Sequence, residues 1–136
     1  MDKNSLKKDL KFGKEKEDEN LNLIRSAIDI NLQKSSNNFY VIDFTSKDCY
    51  IELKSRRTEK DKYPDTMIGI NKIKFAEKSE KPTYFCFSFT DGLYCWKYNK
   101  EEAEDAISYR GGGRTDRGVD ETKDYAYIKC SYLKKI

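Results

Sequence analysis

Three side chains in the stretch FYVIDF-TSKD-CYIELKS (residues 39–55) could do chemistry together: Asp43, Glu52 and Lys54. The apolar runs on either side of Thr45–Asp48 read as a β-hairpin turning about Lys47-Asp48. That register sets Asp43 opposite Glu52 and Val41 opposite Lys54. Strand side chains alternate between faces, so one face carries Asp43, Glu52 and Lys54 and the other Tyr40, Ile42, Phe44, Ile51 and Leu53. Two carboxylates facing each other across strands repel, and each raises the other's pKa. A bridging cation resolves the conflict. Mg²⁺ suits a site of one or two carboxylates completed by water and phosphate oxygens, where it activates water and stabilises charge on a phosphate. Lys54 could orient or help deprotonate that water.

The remaining elements must position this hairpin. Residues 14–29 have helical periodicity, with Glu17, Leu21, Ile24 and Ile28 on one stripe. A short strand at 30–34 and the turn SSNN precede the hairpin. After it come a basic loop, RRTEKDKYP, and a helix expected to open at Pro64-Asp65-Thr66 and run to about 78. PTYFCFSF (82–89) and GLYCWKY (92–98) read as strands joined near Asp91-Gly92. Asn99 with Glu102 suggests a capped helix to about 107. Gly111–Gly113 open a flexible segment before a last strand over 124–133.

The hairpin motif, Asp43 followed by Ile51-Glu52-Leu53-Lys54, resembles the PD-(D/E)xK nuclease superfamily, above all the small stand-alone members of phages and large DNA viruses. Glu17 after Gly13-Lys14 resembles that family's first acidic position. Lys72 after Ile68-Gly69 resembles its fourth motif. Thr90-Asp91-Gly92 and Arg114-Thr115-Asp116-Arg117-Gly118 resemble further recurrent segments. Ile42 stands where the family often has proline. The resemblance implies a restriction-endonuclease-like α/β fold with an αβββαβ core and a mixed sheet. It also implies Mg²⁺ or Mn²⁺ dependence and hydrolysis of phosphodiesters. Asp43, Glu52 and Glu17 would then be metal ligands, with Lys54 and Lys72 as catalytic partners.

Each supporting residue also has a plainer reading. Glu17 suits a helix N-terminus on electrostatic grounds alone, and Lys72 could be snorkelling from an apolar stripe. Arg56, Arg57, Lys60 and Lys62 are either a solvated loop or contacts for backbone phosphates. Arg110, Arg114 and Arg117 flank the glycine run as a candidate phosphate clamp, or pair with Asp116. The alternating aromatics of 84–98 are expected to be sheet core more than a stacking platform.

Composition narrows the class. The 136 residues suit one domain, read as a basic arm (1–12) and a nuclease-like domain (13–136). Charged residues outnumber hydrophobic ones, 38% to 37%, so the core must be concentrated in a few dense strands. The net charge of +3 is too small to establish a polyanion partner, and clustering of Lys and Arg matters more. The expected partner is DNA, with RNA and a homodimeric form left open. The start of the chain has no apolar signal-like region and no stretch suits a membrane span. With no His and no C-x-x-C pair, the four cysteines read as reduced thiols of a cytoplasmic or nuclear protein, not as a zinc site. The alternatives to an enzyme are an inactive nucleic-acid-binding module of the same fold and a protein-interaction domain with an aromatic sheet face.

Overall fold

The alternating strands around the hairpin assemble into a mixed sheet in a computed structural model that describes residues 15, 17–35, 42–110 and 125–136. Helix α1 (residues 17–27) comes first. Strands β1 (Gln33–Lys34), β2 (Phe44–Thr45), β3 (Tyr50–Ser55) and β4 (Asp65–Gly69) follow, then helix α2 (Ile70–Lys78). The chain continues through β5 (Thr83–Phe89), β6 (Gly92–Lys97), α3 (Lys100–Ala106), β7 (Ile107–Arg110), β8 (Tyr125–Lys129) and β9 (Lys134–Lys135). The large sheet has the order β1-β2-β3-β5-β6-β9, and β4-β8-β7 form a second, antiparallel sheet. Within the large sheet β3 and β5 are parallel and the other pairs antiparallel. The αβββαβ core is therefore α1-β1-β2-β3-α2-β5, with β4 inserted before α2.

The large sheet separates two apolar cores. On one face Leu21 and Ile24 of α1 pack with Leu32, Phe44, Ile51 and Cys86. On the other, Phe85, Phe87, Phe89 and Trp96 pack with Ile73 and Ala76 of α2 and with Ile68, Ile107, Ala126 and Ile128 of the small sheet. Alternation explains the division, since odd-numbered residues of β5 face α2 and Cys86 faces α1. Gly92 closes the β5–β6 turn at φ 147°, a conformation that favours glycine.

Three expectations need correction. Residues 65–69 form β4, not the first turns of a helix. Thr66 and Ile68 point inward while Met67 points out, a period of two that Pro64-Asp65-Thr66 masked by imitating a helix start. The final strand ends at Lys129, and a 3₁₀ turn (Cys130–Tyr132) redirects the chain to β9 on the large sheet. Cys86 and Cys95, direct partners across β5 and β6, are joined as a disulfide instead of being separate thiols. Cys49 and Cys130 are free and buried. The arm, Tyr40, Val41, the glycine run, Arg114 and Arg117 lie outside the described residues. Among the described residues no helix is long and apolar enough to cross a membrane.

Candidate active site

The hairpin has the expected register, pairing Phe44 with Ile51 and Thr45 with Tyr50. Its turn is held by Ser46, whose Oγ accepts from the N–H groups of Asp48 and Cys49 (both 3.1 Å) and donates to Asp29 (2.6 Å). The two-strand ladder is short for a specific reason. Oδ2 of Asp43 accepts the Leu53 N–H at 2.9 Å, so a carboxylate replaces a backbone carbonyl at that rung. This bond fixes Asp43 beside β3, near enough to Glu52 for its charge to act on that acid.

Glu52 is 1% exposed. It lies beside Phe85 of β5, on the face covered by α2. Nζ of Lys72, from α2, is 3.2 Å from Oε2, and Nζ of Lys54 is 3.6 Å from Oε1. Neither carboxylate oxygen accepts a well-formed hydrogen bond. Burial, reinforced by the negative charge of Asp43, pushes the Glu52 carboxyl up to about 7 from an ordinary 4.5, against the pull of Lys72 and Lys54. The Lys54 side chain is 41% exposed, so its ammonium links the buried acid to solvent.

Glu17 reaches the same neighbourhood from α1. It borders a cavity of about 90 Å³ together with Asp43, Phe44, Leu53 and Ser55. Its carboxylate also lies 3.8 Å from Lys34 of β1. Glu17 and Asp43 thus share a cavity that Glu52 does not line. Among the described residues no group of three or more acidic, His or Cys side chains is arranged around one ion. Asp43 and Glu52, coupled through the charge of Asp43, are the candidate oxygen donors. Two hard oxygen ligands, one of them buried without hydrogen bonds, fit a small divalent cation that keeps water and phosphate in its other positions.

The basic loop divides in two. Arg56 turns inward: Nε donates to Thr66 Oγ1 (3.0 Å), another N–H donates to the Met67 carbonyl, and the guanidinium lies 5.6 Å from the Phe87 ring centroid. Burial lowers its pKa. Lys60 packs over Tyr94 at 5.4 Å and pairs with Asp61 at 3.2 Å. Arg57 and Lys62 are exposed, with Lys62 near the Tyr63 ring. Thus Arg56 and Lys60 fasten the loop to β4 and β6, and Arg57 and Lys62 face outward.

Sequence reasoning overlooked two features of this neighbourhood. Lys34 lies against Glu17, and Tyr50, two residues before Glu52 on the same face, meets Phe75 of α2 edge to face at 4.9 Å. Strand alternation could have placed Tyr50 beside Glu52, but nothing local announces Lys34.

No curated protein and no solved structure matches the chain. A family model described as "Phage putative PDDEXK endonuclease" matches residues 10–132. That span contains the hairpin, the acid of α1 and the lysine of α2 that meets Glu52, and the chain belongs to this family of phage PD-(D/E)xK endonucleases.

Proposed function

We propose that the chain hydrolyses phosphodiester bonds in DNA with Mg²⁺ or Mn²⁺ held by Asp43 and Glu52. The observation that carries this reading is the Glu52 carboxylate, 1% exposed, near a second acid, with only the ammonium groups of Lys72 at 3.2 Å and Lys54 at 3.6 Å against its oxygens. A purely structural ion pair at that depth would need hydrogen bonds to offset desolvation of its charges. A bound divalent cation supplies charge neutralisation for the phosphate and lowers the proton affinity of the attacking water.

The chain's own groups divide the remaining work. The Leu53 N–H holds Oδ2 of Asp43, and Oδ1 would be the oxygen offered to the cation. Lys72 is a positioning residue that orients Glu52 through Oε2. Lys54, reaching solvent, is placed to orient water and carry a proton at Nζ. Glu17, sharing a cavity with Asp43, is the third acid. Arg57 and Lys62, with Arg114 and Arg117, neutralise backbone phosphates, while Arg56 and Lys60 hold the loop that presents them.

The test is cleavage of labelled duplex, branched and single-stranded DNA, and of RNA, in Mg²⁺ or Mn²⁺. Glu52→Gln and Lys54→Ala should each lower the rate by about a thousandfold or more while leaving circular dichroism unchanged. Undiminished cleavage by Glu52→Gln would sink the assignment.

A further inference from the structure

Beyond the acids, Tyr50 of β3, helix α2 and the turn after it line a groove. Residues Tyr50, Glu52 and Lys54 share one face of β3. Along α2, Lys72 meets Glu52 and, one turn later, Phe75 meets Tyr50. The two elements therefore run past each other in opposite senses, and the Tyr50–Phe75 end borders a cavity of about 620 Å³. Its wall includes Tyr50, Phe75, Lys74, Lys78 and Lys81.

Helical spacing puts Lys74, Phe75 and Lys78 on one stripe of α2. Lys74 and Lys78 are exposed. Lys81 forms the far wall, its ammonium 4.2 Å from the Tyr50 ring centroid and donating to the Ser46 carbonyl at 2.8 Å. One acid, Glu80, lines the groove against these three lysines. The result is an aromatic floor flanked by ammonium groups, with Tyr50 two residues before Glu52 on β3.

We propose that this groove binds a single strand of nucleic acid leaving the scissile site, with Lys74 and Lys78 on its phosphates and Phe75 and Tyr50 against its sugars and bases. The combination of a cationic rail with aromatic contacts suits an unpaired strand, whose bases are free to meet a ring. A duplex would present its phosphates to the lysines but would keep its bases stacked away from the floor. The proposal rests on the active-site reading only for which end of the groove faces the reaction.

The test is binding of fluorescein-labelled oligothymidylate to the whole chain in EDTA, followed by anisotropy over a range of salt, beside a hairpin duplex probe. The Lys74→Gln/Lys78→Gln double variant should bind the oligothymidylate about tenfold more weakly. Its log–log salt slope should be shallower by about 1.4, from ~0.7 for each lost phosphate contact on a single strand. Phe75→Leu should weaken binding at every salt concentration and leave the slope alone. The proposal is overturned if the wild-type chain does not bind the oligothymidylate, if the double variant matches it in affinity and slope, or if only the duplex probe loses affinity. Cleavage retained by Glu52→Gln would remove the active-site assignment and leave this binding result standing.

Discussion

Ile51 and Glu52 are neighbours on β3 and almost equally buried, at 0% and 1% exposed, yet they lie in opposite physical situations. Ile51 faces α1 among Leu32, Phe44 and Cys86, where burial itself stabilises the fold. Glu52 faces α2, beside Phe85, where burial of an ionised group costs stability that two lysines only partly offset. One strand thus divides its labour by parity: one face holds the sheet together, and the other holds a charge where an apolar side chain would be more stable. A buried acid with a strongly raised pKa is the kind of group that the proposed function uses.

Experiments can press on this contrast, beginning with its strongest side. Ile51→Ala should destabilise the chain by about 4 kcal/mol in urea unfolding, because a fully buried β-branched side chain leaves a cavity. A loss near zero would mean that the α1 face is not the anchor.

The Glu52 side should reveal itself in pH dependence. Its carboxyl is held at about 7 against an ordinary 4.5, so the folded chain keeps a proton that the unfolded chain has already released. The associated stability is fully present below pH 4.5 and is lost as pH rises through about 7. It amounts to roughly 3 kcal/mol from the size of the shift. Unfolding in chelator across that window should show this decline in the wild-type chain and not in Glu52→Gln. A flat wild-type profile would mean that the acid is solvated after all.

The smallest effect is a control at an exposed helix cap. The Asn99 side chain caps α3 by accepting from the N–H groups of Glu101 and Glu102. Asn99→Ala should cost about 1 kcal/mol, with the pH profile and cleavage unchanged. A shift in either would show that the whole fold, not Glu52, sets them.

How far the sequence reveals this arrangement depends on the reach of each signal. The hairpin was legible because its acids alternate with apolar residues, so one register explains Phe44, Ile51 and Glu52 together. The α1 stripe and the Asn99 cap were legible for the same local reason. β4 was misread because its helix-like opening outweighed four or five residues of alternation, and its partner β8 lies far along the chain. β7 was missed because it too exists through pairing with β8. The Cys86–Cys95 link follows from the two-residue turn at Thr90-Asp91, which brings the two positions opposite each other. The meeting of Lys72 with Glu52 had no local signal at all. It depends on α2 lying across β3, and only the family resemblance pointed to it.

The parallel pairing of β3 with β5 has a kinetic consequence. The hairpin that carries both acids can close within microseconds, since its strands are adjacent in sequence. The lysine of α2 belongs to the crossover, and parallel pairing must wait for that longer loop to close. During refolding the hairpin should therefore form before α2 docks, and the Lys72–Glu52 contact should track docking of the crossover helix instead of formation of the hairpin.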